Sequence, residues 1–191
     1  MSYFPMMVEL AGRKVLVIGG GKEGSKKINI LHEFGCRITL ISRKAEPEAV
    51  KFSDVFINRD FEDSDINEDY AIIVAATDDA ELNEKIFNLA YDNKIPVNIV
   101  DNAMLCTFIF PAIIKDEDVV ISVSSGGNSP YIAQHIKNII RGVLPQNIGK
   151  INKYMGELRI QAKRDIPDME ERKRFLKSKL KEVLGEEPSL S

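Results

Sequence analysis

Residues 14–27 read KVLVIGGGKEGSKK, in which an apolar run meets three consecutive glycines and then lysines. The apolar run, residues 14–18, is short and rich in valine, a composition typical of a buried strand. From Lys22 onward apolar residues recur at helical spacing until Gly35, where the helix is predicted to end. The stretch therefore predicts a strand, a glycine turn and a helix in succession.

The turn fits the pattern G-x-G-x-x-G, in the strand–helix context that this pattern requires. Its first glycine permits the tight turn, the second lets the backbone approach a pyrophosphate, and the third lets helix and strand pack closely. The N-terminus of the helix then presents free N–H groups to phosphate. We expect dinucleotide binding rather than a merely structural turn, through Gly19, Gly20, Gly21, Lys22, Glu23 and Gly24.

The end of the second predicted strand, residues 37–42, is where NAD-binding folds usually place an acidic residue on the ribose. This chain has Ser42 and Arg43 there instead. Arg43 would favour a 2′-phosphate and therefore NADP; alternatively, Ser42 or the backbone holds the ribose and Arg43 points to water. Both are candidate cofactor residues, and the choice between NAD and NADP stays open.

Strand and helix signals continue to alternate over residues 1–112. Further strands are predicted at 71–77 and 96–101, and the capping-box pattern of Asp78 and Glu81 predicts a helix that begins after Asp78. Short connections of this kind imply right-handed crossovers and a parallel sheet. The predicted fold class is α/β, with a Rossmann-like doubly wound parallel sheet.

The pattern changes beyond residue 112. Residues 118–125 alternate like a strand, and Ser129 followed by Pro130 predicts a helix start. The apolar face of that helix suits a dimer contact, and packing on its own sheet fits the pattern equally well. Its members are Ile132, Ile136, Ile139, Ile140 and Val143. Residues 147–191 are predicted to form one or two amphipathic helices, broken near Pro167.

The bulk composition points to an ordinary globular protein. The 191 residues carry a net charge of -3, and no apolar stretch approaches the roughly 18 residues that span a membrane. The first residues lack the features of a signal peptide. Cys36 and Cys106 are too few and too far apart for a disulfide scaffold or a zinc site, so a reducing, cytoplasmic setting is expected. Lys150 to Lys181 is basic, but a solvated helix face is favoured over nucleic-acid binding.

The usual catalytic signatures are missing: there is no G-x-S-x-G elbow, no Walker lysine and no H-E-x-x-H. Ligands in open α/β sheets bind at the carboxyl ends of the strands, where Thr77, Asp78, Asn98 and Asp101 fall. Asp101 follows a buried strand beside the expected nicotinamide, where a carboxylate can accept a proton; capping the turn is the alternative. Asp78 is more readily explained as a helix cap. A serine–glycine loop, residues 124–129, suits an anion.

Four stretches together resemble the siroheme-synthase family, the precorrin-2 dehydrogenases, some of which are also sirohydrochlorin ferrochelatases. They are YFPMMVELAGRKVLVIGGGKEGSKK, AATDDAELN, PVNIVDNAMLCTFIFPAII and ISVSSGGNSP. The likeness covers residues 3–144 in order. It implies that NAD accepts hydride from precorrin-2 to give sirohydrochlorin. Whether ferrous iron, as a substrate, is then inserted to give siroheme is left open.

The resemblance also implies roles for particular residues. Asp101 falls on the proposed general base, and the glycine loop and the strand end with Thr77 and Asp78 fall beside the cofactor. We expect the tetrapyrrole near Asn98 and the serine–glycine loop, whose candidates are Ser124, Ser125, Gly126, Gly127 and Ser129. No residue set for a resident metal is expected.

The family is dimeric, which favours a homodimer and the following organisation. Residues 1–112 form an NAD-binding domain, 113–146 a dimerisation segment, and 147–191 a small C-terminal helical domain. No methyltransferase module is expected, so a separate enzyme would supply precorrin-2. The remaining alternative is an NAD-sensing regulatory module without catalysis.

Overall fold

The first part of the chain forms a five-stranded parallel sheet, described by a computed structural model for residues 3–66 and 70–185. Its strands are β1 (Lys14–Gly20), β2 (Arg37–Ala45), β3 (Val55–Ile57), β4 (Ile72–Ala75) and β5 (Val97–Ile99). They lie in the order β3-β2-β1-β4-β5, with β1 between β2 and β4. The predicted α/β fold with a doubly wound parallel sheet is confirmed.

Helices cover both faces of this sheet. They are α1 (Lys22–Glu33), α2 (Pro47–Lys51) and α3 (Ala80–Asp92). Because successive side chains of a strand point to opposite faces, Val15 and Val17 of β1 pack with α1 and α2, whereas Leu16 and Ile18 pack with α3. The uninterrupted apolar run of β1 is therefore explained by burial on both sides.

The predicted start of α3 is wrong by one residue. Asp79, and not Asp78, is the N-cap, and its Oδ1 accepts a hydrogen bond from Leu82 N–H at 3.0 Å. The reason lies in a clamp between Thr77 and Asn83. Thr77 Oγ1 donates to Asn83 Oδ1 at 2.7 Å, and Asn83 Nδ2 donates to the Thr77 carbonyl at 2.9 Å. This clamp keeps residues 77–79 in a turn ahead of the helix.

The second part of the chain begins with an antiparallel hairpin. Its strands are β6 (Ala112–Asp116) and β7 (Val119–Val123), and they are followed by α4 (Pro130–Val143), α5 (Ile148–Asp165) and α6 (Met169–Leu184). The predicted N-cap is confirmed, since Ser129 Oγ accepts from Ile132 N–H at 3.3 Å. The break near Pro167 is also found, between α5 and α6.

The chain divides into two compact units, Met1–Phe110 and Pro111–Ser191. The boundary between the two units lies two residues before the predicted boundary at 112. Residues 113–146 and 147–191, which the sequence separated, belong to one unit, and their separate roles stay a prediction. Within residues 3–66 and 70–185, no helix combines the length and apolar character needed to cross a membrane.

Candidate functional site

Three glycines of the loop allow β1, β2, β4 and α1 to approach one another. Gly19 has φ 96°, and a Cβ there would overlap the carbonyl oxygen of Ala76, directly after β4. A Cβ on Gly24 would overlap the carbonyl of Gly19 itself. A Cβ on Gly20 would lie 2.5 Å from that of Ala45. These three positions are closed by the fold, so their glycines serve packing.

Gly21 is different, because a Cβ there would meet nothing within 4 Å. It is the N-cap of α1 and supplies no side-chain cap, so the first N–H groups of the helix keep their capacity for an outside acceptor. Lys22 and Glu23 follow in the exposed first turn, where Glu23 accepts from Lys26 Nζ at 2.5 Å. An open, uncapped helix start fits the pyrophosphate of a dinucleotide.

Ser42 braces the glycine loop from β2. Its Oγ accepts from Gly20 N–H at 3.0 Å and donates to the Lys44 carbonyl at 2.6 Å. Arg43, next in β2, makes an ion pair through Nη2 with Asp60, in the loop after β3. The two candidate ribose residues therefore differ, since Ser42 is engaged inside the loop and Arg43 lies at the surface against a carboxylate.

Asn98 is buried in β5 and ties this strand to the segment that follows it. Its Nδ2 donates to the Phe108 carbonyl at 3.1 Å and lies 3.4 Å from Cys106 Sγ. The thiol also donates to the Ile99 carbonyl at 3.2 Å, and burial raises its pKa. In this structure the amide of Asn98 holds the end of β5 in place.

Asp101 follows β5 in a turn and has an exposed side chain. Its φ is 61°, in the left-handed region that non-glycine residues adopt uncommonly, although Asp tolerates it better than most. Such backbone conformations cluster at functional sites. Since β1, β4 and β5 are neighbours, their carboxyl ends bring together the glycine loop, residues 77–79 and Asp101 at one edge of the sheet.

Lys27 of α1 belongs to the same edge, and sequence reasoning missed it. Its Nζ lies 4.6 Å from the centroid of the Phe110 ring. Burial lowers the pKa of Lys27, while the charges of Glu23 and Asp101 act in the opposite direction. Lys27 lies three residues after the buried Gly24, so it shares the inward face of α1. That spacing is the signal by which the sequence could have identified it.

The serine–glycine loop lies in the second unit and is closed by its own hydrogen bonds. Ser125 Oγ accepts from Ser129 N–H at 3.0 Å and donates to the Ser129 carbonyl at 2.7 Å. Ser124 Oγ accepts from Gly126 N–H at 3.1 Å. Gly126 and Gly127 have φ of 66° and 84°, and a Cβ on either would meet nothing within 4 Å. The loop thus combines open backbone with a helix start.

Comparison with known proteins gives three findings. The sequence profile of the NAD_binding_7 family of NAD(P)-binding domains matches residues 6–112. The siroheme synthase of Ruthia magnifica subsp. Calyptogena magnifica is 33% identical over 97% of this chain, and that of Thioalkalivibrio sulfidiphilus is 36% identical over 92%. This chain spans only 40% and 36% of those two proteins.

A solved structure described as SirC, precorrin-2 dehydrogenase, has a TM-score of 0.73 to this chain. The match covers 92% of this chain and 88% of that protein, at 21% sequence identity. The two proteins therefore share their fold.

Proposed function

Because the chain belongs to the NAD_binding_7 family of NAD(P)-binding domains, we propose that it oxidises precorrin-2 to sirohydrochlorin with NAD. Two comparisons support this choice of substrate: the chain is similar to siroheme synthases, and it shares its fold with a precorrin-2 dehydrogenase. The observation that carries the proposal is Asp101, a left-handed aspartate at the same sheet edge as an open glycine loop.

The reaction removes two hydrogens from precorrin-2, one as a hydride and one as a proton. Bound NAD supplies the hydride acceptor, and the chain must supply the proton acceptor and hold both molecules. The N-terminus of α1 and Gly21 would hold the pyrophosphate, and Thr77 and Asp78, directly after β4, would contact the cofactor. The hydrogen bonds between Thr77 and Asn83 fix that strand end. Because Asp79 caps α3, the side chain of Asp78 is not needed as the cap.

Asp101 accepts the proton. Its carboxylate is exposed and therefore accessible to substrate, and the turn holds it at the carboxyl end of β5. Lys27 adds a positive charge to this edge of the sheet, which favours the ionised form of a nearby carboxylate. We propose that Asn98 contributes to the substrate site indirectly. Its amide donates to the Phe108 carbonyl and so holds β5, which Asp101 follows.

The acetate and propionate groups of the tetrapyrrole need anion-binding groups. We propose that the serine–glycine loop binds them through the hydroxyls and backbone N–H groups that its own hydrogen bonds leave available. Its residues are Ser124, Ser125, Gly126, Gly127 and Ser129. The two open glycines leave room for a carboxylate against the backbone, and the N-terminus of α4 adds a favourable dipole.

Insertion of ferrous iron into sirohydrochlorin is the second activity that the site supports. Metal insertion releases pyrrole N–H protons, and the carboxylate of Asp101 can accept them. Iron is then a substrate and requires no permanent ligand set. A regulatory NAD sensor without catalysis would leave the carboxylate of Asp101 no role beyond capping its turn.

We further propose a homodimer that forms through α4. Ile132, Ile136, Ile139 and Val143 form one stripe along this helix and are 39% to 78% exposed within the chain. A second copy would bury such a stripe. The free thiols Cys36 and Cys106 support the proposal of a reducing, cytoplasmic location.

An anaerobic assay tests the proposal. Purified protein is incubated with precorrin-2 and NAD, and sirohydrochlorin and NADH are measured; ferrous iron is then added. We expect sirohydrochlorin and NADH in equal amounts. NAD binding without sirohydrochlorin would favour the sensor module, and iron insertion no faster than in buffer would remove the chelatase activity.

A further inference from the structure

We propose that Asp60 determines the cofactor preference of this site, by pairing with Arg43 and rejecting a 2′-phosphate. This inference rests on the proposed dinucleotide site and extends it to the choice between NAD and NADP. At the predicted end of β2, where NAD-binding folds usually carry an acidic residue, the sequence has Ser42 and Arg43. The fold brings a carboxylate to Arg43 from the loop after the neighbouring strand β3.

The pair lies where the adenosine ribose is expected. Arg43 is in β2, one residue after Ser42, whose hydroxyl holds Gly20 of the cofactor loop. Asp60 follows β3, which is parallel to β2 and adjacent to it. The carboxyl ends of both strands therefore meet on the β2 side of the glycine loop, which is the ribose side in this class of fold.

The position of Asp60 is fixed by its neighbours. Arg59 donates through Nη1 to the Asp60 carbonyl at 2.7 Å and makes a bidentate pair with Asp65 at 2.6 and 2.9 Å. The Asp65 carboxylate is only 10% exposed and also accepts from Glu62 N–H at 2.8 Å. The guanidinium of Arg59 lowers the pKa of Asp65, so this anchor stays charged at neutral pH. The loop is thus prepared to present Asp60 to Arg43.

The electrostatic consequence favours NAD. A carboxylate can accept a hydrogen bond from a ribose 2′-hydroxyl, but it repels a 2′-phosphate. Arg43 alone would attract that phosphate; with Asp60 as its partner, a guanidinium donor is engaged and its charge is balanced. The arginine that suggested NADP from the sequence is therefore paired at the surface with a carboxylate 17 positions away.

The test measures dissociation constants of NAD and NADP without tetrapyrrole, for the full chain and three variants. Asp60→Asn frees Arg43, and Asp60→Asn with Arg43→Gln removes both charges. Asp63→Asn is the matched control, because Asp63 is an exposed aspartate of the same loop that pairs with Lys85 at 2.6 Å. Thermal unfolding of each variant establishes that the fold is kept.

We expect the wild type to prefer NAD. We expect Asp60→Asn to bind NADP about tenfold more tightly than the wild type does, which corresponds to one charge-assisted hydrogen bond. The double variant should lose this gain, and Asp63→Asn should match the wild type. An unchanged ratio of NAD to NADP affinity in Asp60→Asn would overturn the inference, as would a wild type that prefers NADP. A wild type that binds neither nucleotide would instead contradict the dinucleotide site itself.

Discussion

Gly21 and Gly24 belong to one loop but are required for different reasons. Gly24 faces the carbonyl of Gly19, and a methyl group has no room there. Gly21 faces open space at the start of α1, so its lack of a side chain matters only when a ligand approaches. One residue maintains the fold and the other maintains access to the backbone.

Gly24→Ala should lower the free energy of unfolding by about 1–3 kcal/mol, because the Gly19 backbone must shift to admit the new Cβ. Gly156→Ala is the matched control. Gly156 lies in the exposed middle of α5 with nothing within 4 Å of its Cβ position, so alanine should raise stability by about 0.5–1 kcal/mol. Denaturant titration measures both, and a Gly24→Ala variant as stable as the wild type would contradict the packing described.

Removing the charge of Asp101 should change the pKa of Lys27. The charge of Asp101 raises the pKa of Lys27 against the larger effect of burial, so Asp101→Asn should lower the pKa of Lys27 further. NMR of the reductively methylated protein follows the Lys27 signal against pH. Glu84→Gln, an exposed change on α3, serves as the control. If the pKa of Lys27 is unaffected by Asp101→Asn, the two side chains do not interact.

At this scale the sequence predicted the tight approaches at Gly19 and Gly24, because these follow from backbone geometry alone, while the cofactor contact of Gly21 stays a prediction. It did not identify Lys27 or Asp60. Lys27 reads as part of a solvated lysine run, and its importance arises only when Phe110 folds back onto α1. Asp60 depends on the pairing of β2 with β3, which no local pattern reveals.

The helices and strands that the sequence missed are short. β3 has three residues and α2 has five, too few to show a periodic pattern of apolar residues. The strand β6 was also not predicted, although its hairpin partner β7 was. The start of α3 shows a related difficulty. Two consecutive aspartates offer two caps, and only the Thr77–Asn83 clamp selects the second.

Asp79→Ala should therefore lower the stability by about 1 kcal/mol, because it removes the hydrogen bond to Leu82 N–H. Asp78→Ala is the natural comparison, one residue away and equally exposed, and should leave stability nearly unchanged. Thermal or denaturant unfolding measures the pair. The reverse order of the two effects would restore Asp78 as the cap.

At the scale of the whole chain, the second unit presents its most apolar exposed surface along α4. The sequence could not decide between a dimer contact and packing on the hairpin, and the structure explains why both fit. Ala133 is buried, and α4 packs on β6 and β7, while the isoleucine stripe stays exposed. The apolar residues of α4 are therefore numerous enough both to pack on the hairpin and to form a contact with a second copy.

Ile139→Glu should convert the proposed dimer into a monomer, because a charge would enter the centre of the stripe. Ile160→Glu changes an isoleucine of α5 that is 75% exposed and should leave the dimer intact. Light scattering after size-exclusion chromatography gives the mass of each. A dimeric Ile139→Glu variant would place the interface elsewhere.

The central claim is that Asp101 accepts the proton of the oxidation. Asp101→Asn is the sharpest change, since asparagine tolerates the left-handed backbone at φ 61° and removes only the charge. Anaerobic turnover of precorrin-2 and the dissociation constant of NAD are measured on the same preparations. We predict a fall in turnover of about 100-fold or more with unchanged NAD affinity. Turnover within a few-fold of the wild type would contradict the account.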